Sequence, residues 1–265
     1  MAMPSLAQLR RLKERGEPVA TLTAYDASFA ARMDEAGVDL LLVGDSLGMV
    51  VQGFDTTVPV TLDAMVHHTA AVRRGSGQRP VIADLPFLTF GDPATALNAA
   101  GRLMQEGGAH GVKLEGGGPV VEIVAELTRQ GVPVCAHLGL LPQTVFKLGG
   151  YRVQGRGEEA GEALLAEARA LEEAGADLLV LEAVPAEVAG KVRRALTIPV
   201  IGIGAGPDCD GQVLVAYDAL GLTPGGGPAF SRDFLAATGS IPAALAEYVR
   251  AVKAGDFPGP EHTLA

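Results

Sequence analysis

The sequence predicts a parallel (β/α)8 barrel, a TIM barrel, and three observations carry that reading. Short apolar runs alternate with longer amphipathic stretches along the chain. The runs are continuously apolar, as strands covered on both faces require. About eight such units fit into 265 residues, which suits a closed barrel better than an open doubly wound sheet.

In order, the apolar runs are VATLTAYD, DLLLVGDS, PVIADLPF, GVKLEGG, VPVCAHLG, DLLVLEAV, PVIGIGAG and a less regular segment around VLVAYDALG. The last is blurred by the glycines and proline from Gly225 to Pro228. Between the runs lie LDAMVHHTAAVRRG, PATALNAAGRLMQEG and EEAGEALLAEARALEEAG, each helical in period and ending on a glycine suited to a C-cap. One unit recurs: EAGVDLLLVGD, EGGAHGVKLEG and EEAGADLLVLEA all run from helix end through glycine into a buried strand. The N-terminal MAMPSLAQLRRLKERG has no apolar signal-like centre and reads as a short basic surface helix. No linker or shift of composition interrupts residues 1–265, so one domain is expected.

Composition narrows the function. Apolar residues make up 48% and charged residues 20%, a globular balance. Acidic residues outnumber basic ones 31 to 21, for a net charge of −10. That balance argues against nucleic acid and against an anionic membrane surface, both of which call for clustered Lys and Arg. Cys135 and Cys209 show no CxxC spacing, which suits a reducing cytoplasm. No segment reaches membrane-spanning length without charge or glycine breaks.

In such a barrel, functional groups stand at the C-terminal ends of the strands. Reading each run to its end gives Asp45, Asp84, Glu115, His137 and Glu182. Alternation puts Val43 with Asp45, Ile82 with Asp84, Lys113 with Glu115, Cys135 with His137, and Val180 with Glu182. All five therefore point into one mouth. A single such residue is more often a cap or loop residue; five strands ending alike make independent caps a poor explanation.

Asp45, Asp84 and Glu115 fall on three neighbouring strands. Gathered carboxylates repel and need a cation, a shared proton or a nearby lysine. All-oxygen ligation points to a hard ion such as Mg²⁺ rather than to zinc, since His67 and His68 lie on a helical pattern. Lys113 either orients an anionic substrate or balances the acids. Ser46 is a turn residue or a donor to a substrate carboxylate. Glu182 stands apart on the sixth strand and suits a general base, with a fourth ligand or a structural ion pair as the alternatives. IGIGAG is either a phosphate-holding loop or a close-packing turn. The stretch LPQTVFKLGGYRVQGRG is long for a βα loop, and its Lys147, Arg152 and Arg156 suggest a lid or a subunit contact. A divalent ion facing a base across a barrel mouth suits removal of a proton beside a carbonyl.

The motifs TAYDASFA, VGDSLGMVVQG, HHTAAVRRG, ADLPF, VKLEGG, PVCAHLGLLPQ, GGYRVQGRG, LLVLEAVP and IGIGAGPDCDGQVLV together resemble the ketopantoate hydroxymethyltransferase family nearly end to end. The resemblance implies Asp45, Asp84 and Glu115 as Mg²⁺ ligands. It implies Asp45, Ser46, Asp84, Lys113 and His137 as the α-keto acid site, and Glu182 as the base. It further implies transfer of a hydroxymethyl group from 5,10-methylenetetrahydrofolate to α-ketoisovalerate through a Mg-stabilised enolate, in pantothenate biosynthesis. Large homo-oligomers, commonly decamers, are implied too. The pattern departs at GGGPAFSRDF, where Ala229 replaces the family's usual lysine. The alternatives are a Mg-dependent carbon–carbon lyase of the isocitrate lyase type, whose KKCGH-like cysteine loop is missing here, and a non-catalytic metabolite-binding barrel.

Overall fold

A computed structural model describes residues 5–264 of the chain. Eight strands, β1 (Val19–Thr23), β2 (Leu40–Val43), β3 (Val81–Asp84), β4 (Gly111–Glu115), β5 (Val134–Gly139), β6 (Leu178–Glu182), β7 (Val200–Ile203) and β8 (Gly211–Leu214), close in sequence order into one parallel barrel. The predicted fold class is the observed one. The segment that sequence patterning left least certain, around VLVAYDALG, supplies the closing strand: β8 pairs with β1 from Val19↔Gly211 to Leu22↔Leu214. Glycine is required at that seam, because a Cβ on Gly211 would sit 2.2 Å from the Val19 carbonyl oxygen.

Among the described residues, twelve helices accompany the strands: α1 (Ala7–Glu14), α2 (Ala27–Ala36), α3 (Leu47–Val50), α4 (Leu62–Gly75), α5 (Pro93–Gln105), α6 (Val120–Arg129), α7 (Val145–Leu148), α8 (Glu158–Glu173), α9 (Ala186–Ala195), α10 (Ala216–Ala219), α11 (Phe234–Thr238) and α12 (Ile241–Ala254). Their starts are chemically marked. Asp26, Thr61, Asp92, Asp233 and Ser240 each accept a backbone N–H of their helix's first turn. Gly37 is a left-handed C-cap at φ 87°, whereas the three helices expected to end on glycine, α4, α5 and α8, have Ser76, Glu106 and Ala174 at the cap, with Gly175 left-handed one residue beyond. Gly75 has a different role. It is the last residue of α4, and a Cβ there would meet the Ala27 carbonyl at 2.0 Å, so it permits α4 to pack on α2.

The sheet separates two apolar cores. Outward strand residues such as Leu22, Leu41, Ala83, Leu114 and Leu181 pack against the surrounding helices. Inward residues, among them Leu42, Ile82, Cys135, Val180, Ile201 and Val213, fill the barrel. Helix α1 belongs to this inner core: Leu6 and Leu9 are buried with it, and Leu12 packs against it. The expectation of a surface helix is therefore corrected. Its apolar face adjoins the barrel interior, while Lys13 makes a 2.9 Å ion pair with buried Asp210 and donates to the Leu196 and Ile198 carbonyls.

One half-buried imidazole links this packing to pH. The His110 Nδ1 accepts the Val81 N–H at 2.9 Å, where α5 returns to the sheet. Burial, and then Arg73, push its pKa down from 6.5 to about 4. Between those values the unfolded chain binds a proton that the folded chain does not, so stability falls as pH drops through this window. His110→Gln retains an acceptor without the titration. Thermal unfolding from pH 7 to pH 4 should show a shallower loss of Tm in this variant than in wild type; parallel curves would contradict the assignment.

Candidate active site

The C-terminal mouth of the barrel opens into a cavity of about 450 Å³. Asp45, Ser46, Asp84, Lys113, Glu115, His137 and Glu182 all line it, so the structure brings every site residue expected from the sequence to one place. Asp84, Glu115 and Glu182 are the last residues of β3, β4 and β6, and His137 lies within β5. Ile82, Cys135 and Val180 precede them on the inner face, as strict alternation requires.

Asp45 arrives by another route. Val43 faces the outer core, while Leu42 faces inward. Simple alternation from Val43 would therefore point Asp45 outward. The strand ends at Val43, and the turn through Gly44 carries Asp45 into the mouth. A Cβ on Gly44 would lie 2.8 Å from Ser46 Oγ and 3.7 Å from Asp84 Oδ2. That glycine leaves the space the two polar groups occupy.

Lys113 is the centre of charge. Its Nζ lies 3.1 Å from Asp84 Oδ2, 3.9 Å from Glu115 Oε1 and 3.4 Å from His137 Nδ1, and all four residues are buried. Burial disfavours the ammonium, but Asp84, Glu115 and Asp45 outweigh it and raise the Lys113 pKa. Asp45 has the least compensation: burial, then Asp84 and Glu115, push its carboxyl well above the usual range. Burial raises Asp84 too, against Lys113 and the Asp45 N–H that it accepts at 3.1 Å. Glu115 goes the other way, because His137, Lys113 and the Gln143 N–H outweigh its burial. His137 is held above 6.5: burial and Lys113 oppose its charge, and Glu115 and Glu182 outweigh them. Its Nε2 lies 3.3 Å from Glu182 Oε2 but off the line of a hydrogen bond, leaving that nitrogen unpartnered.

Two residues that sequence reasoning missed hold this arrangement. Gln143 is buried in a 3₁₀ turn (Pro142–Thr144) of the long loop after β5. Its amide donates to Asp45 Oδ2 and to the Leu85 carbonyl, both at 2.9 Å, and its backbone N–H donates to Glu115 Oε2 at 3.0 Å. One loop residue thus ties acids from two strands. Tyr25, two positions beyond the end of β1, shares a 2.9 Å hydrogen bond with Ser46 Oγ. Reading the first strand to its end, as was done for the others, would have found Tyr25. Nothing in LGLLPQT marks Gln143 before the loop is folded.

Other expectations resolve structurally. In IGIGAG, a Cβ on Gly204 would meet the Phe230 ring at 2.7 Å, and one on Gly206 would meet Ala186 at 2.5 Å. That is the close-packing turn, and its glycines are accounted for without phosphate. His67 and His68 lie on α4, with His68 Nδ1 2.7 Å from the Tyr25 carbonyl oxygen. The stretch 141–157 is partly ordered by the Gln143 turn and α7, with Phe146 and Tyr151 exposed.

Among the described residues, no three of His, Cys, Asp and Glu form a ready-made metal cage. Lys113 intervenes between Asp84 and Glu115, and both Glu115 oxygens face other groups. A Mg²⁺ ion needs only one or two protein carboxylates, with water and substrate completing its octahedron. Asp45 and Asp84 fit that requirement. They are adjacent, mutually repelling and buried, and Asp84 Oδ1 has no hydrogen-bond partner among the described residues. Among the described residues, no zinc-like set of His and Cys is present.

Fold and site together define a (β/α)8-barrel enzyme with its polar machinery at the C-terminal ends of the strands. The chain belongs to the ketopantoate hydroxymethyltransferase family, whose model matches residues 4–260. It is 58% identical to the 3-methyl-2-oxobutanoate hydroxymethyltransferase of Alkalilimnicola ehrlichii, over 98% of this chain and 94% of that one. Its identity to the enzyme of the same name from Nitrosococcus oceani is 55%, over 97% and 98%. Among solved structures, 2,3-dimethylmalate lyase, a PEP mutase/isocitrate lyase superfamily member, is 21% identical and aligns with a TM-score of 0.59 over 83% of this chain and 84% of its own. Phosphonopyruvate hydrolase in complex with oxalate and Mg²⁺ is 14% identical, with a TM-score of 0.62 over 80% and 81%. These two share the fold.

Proposed function

We propose that the chain transfers a hydroxymethyl group from 5,10-methylenetetrahydrofolate to 3-methyl-2-oxobutanoate (α-ketoisovalerate), giving ketopantoate for pantothenate synthesis. One observation carries this reading beyond family membership. The acids in the mouth divide into a pair without full compensation, Asp45 and Asp84, and a separate carboxylate, Glu182, in the same cavity. Asp45 and Asp84 would hold Mg²⁺ together with Glu115, the third ligand expected from the sequence, which also fixes Gln143 and His137. Bound there, the ion supplies Lewis-acid stabilisation of charge developing on the keto oxygen.

The remaining roles fall to the chain's own groups. Ser46 Oγ, positioned by Tyr25, and the Lys113 ammonium receive the substrate carboxylate. Glu182 takes the proton from C3, with His137 Nε2 facing its Oε2 at 3.3 Å. Water adds to the methylene carbon, both folate C–N bonds break and tetrahydrofolate leaves; the carbanion equivalent at C3 attacks the released formaldehyde carbon, a carbon–carbon bond forms, and the resulting alkoxide takes a proton to become the hydroxyl. Ala183, immediately after Glu182, has φ 47° in a non-glycine residue, a strained conformation that redirects the chain at the point where the base must be aimed. The apolar wall of Leu42, Val180, Ile203 and Val213 suits the branched side chain of the keto acid.

Proton removal in this scheme needs no folate, which gives a direct test. With Mg²⁺ and α-ketoisovalerate in D₂O, the protein should exchange the C3 hydrogen, seen by NMR as loss of the methine signal, and exhaustive chelation should stop it. Glu182→Gln keeps the shape without the basicity and should slow exchange by roughly two to four orders of magnitude. Wild-type exchange in the Gln variant would remove Glu182 as the base and leave His137 as the next candidate.

A cytoplasmic homo-oligomer, with a decamer as the family's common form, completes the proposal. No helix among the described residues is long and apolar enough to cross a membrane. Phe54, Phe87, Leu88 and Phe146 leave large apolar side chains on the surface of a single chain. Light scattering should give several times the mass of one chain, and a clean monomer at micromolar concentration would contradict the assembly.

A further inference from the structure

The same cavity is lined by Asp218, a carboxylate that the chemistry above does not use. It lies on α10, just beyond the closing strand, and is 8% exposed. Its Oδ1 accepts a 2.5 Å hydrogen bond from Thr223 Oγ1, and that is its one side-chain hydrogen bond among the described residues. Among the same residues no lysine, arginine or histidine forms an ion pair with it, unlike Asp84, Glu115 and Asp210. A carboxylate more than nine-tenths buried, without a cation, is costly unless donors reach it from elsewhere. The surroundings leave it open to the cavity. A Cβ on Gly227 would lie 3.3 Å from Asp218 Oδ1, so glycine there keeps the carboxylate uncovered. Val213, Val215 and Phe230 form an apolar wall of the cavity on this side, suited to the face of a flat ring.

We propose that Asp218, steadied by Thr223, is the recognition group for a heterocycle presenting two adjacent N–H donors, the 2-amino-4-oxopyrimidine edge of the reduced folate. The inference rests on the transferase reading above, which requires a one-carbon donor in this cavity together with the keto acid. A carboxylate is acceptor-only and has two oxygens, so it matches paired N–H donors bidentately. A cationic partner would spoil this match by occupying the same oxygens.

Isothermal titration with tetrahydrofolate, in parallel with α-ketoisovalerate and Mg²⁺, tests the subsite. Asp218→Asn should weaken tetrahydrofolate about 30-fold or more, as expected for loss of charge-assisted hydrogen bonds, while keto acid affinity shifts less than about three-fold. A 2-desamino analogue of tetrahydrofolate, titrated into the unaltered protein, should bind at least about ten-fold more weakly than the parent. This second measurement stands even if the Asn variant fails to fold. Equal binding of the analogue and parent, or an Asn variant that folds and binds tetrahydrofolate as wild type does, overturns the subsite. If the unaltered protein exchanges the C3 hydrogen and binds tetrahydrofolate in those cases, the transferase reading survives. If it does neither, that reading fails and takes the subsite with it.

Discussion

Lys113 Nζ lies 3.1 Å from Asp84 and 3.9 Å from Glu115, inside a barrel whose neighbouring inward residues are Ile82, Cys135 and Val180. At an effective dielectric near 20, each such attraction is of order 4 kcal/mol, and removing each ion from water costs several kcal/mol. The two nearly cancel, so the cluster as a whole adds little to net stability, although removing one partner alone would leave uncompensated buried charge. What the lysine does is let three buried acids coexist in one mouth. Without it, Asp84 and Glu115 would have to bind protons or bring in water, and neither would remain a fixed acceptor. The compensation is also incomplete, and Asp45 is the group left most raised. A site with slightly too few cations is one prepared to receive another.

The rest of the molecule keeps those charges in register. Strand pairing aligns Asp84 with Lys113 and Glu115 with His137 across the sheet. The β5 loop returns Gln143 over the top, where its amide and backbone N–H reach Asp45 and Glu115 together. From below, α1 packs Leu6 and Leu9 against the barrel interior, and Lys13 binds Asp210. The Asp210 carboxylate in turn accepts the Val200 N–H at the start of β7. Apolar packing below and paired charges above make the barrel rigid where chemistry needs fixed groups.

The barrel and most of its mouth were legible in the sequence because both follow local rules. Continuous apolar runs define strands covered on both faces, and polar residues at their ends stand out against such runs. That is why Asp84, Lys113, Glu115, His137 and Glu182 were found with the correct inward neighbours. Asp45 was found for an incomplete reason, since alternation fails at Gly44 and a turn supplies the direction instead. Gln143 and Asp218 escaped because their roles arise from loops and short turns whose path no periodicity encodes, whereas Tyr25 stands at the end of the first run and is marked by that position. The basic N-terminal segment misled for a related reason. Its charges suggested solvent, while the few residues on its other face, Leu6, Leu9 and Leu12, determined where it packs.

The dependence of the mouth on one buried ammonium is most directly measured by calorimetry of Lys113→Met, with and without Mg²⁺. Removing one partner of a buried ion pair costs about 3–5 kcal/mol, and for a domain of this size Tm should fall by roughly 10 °C. Millimolar Mg²⁺ should recover part of that loss by standing in for the missing cation near Asp45 and Asp84. A variant that melts within about 2 °C of wild type in the absence of Mg²⁺ would contradict the account, because the acids would then be coexisting without the lysine.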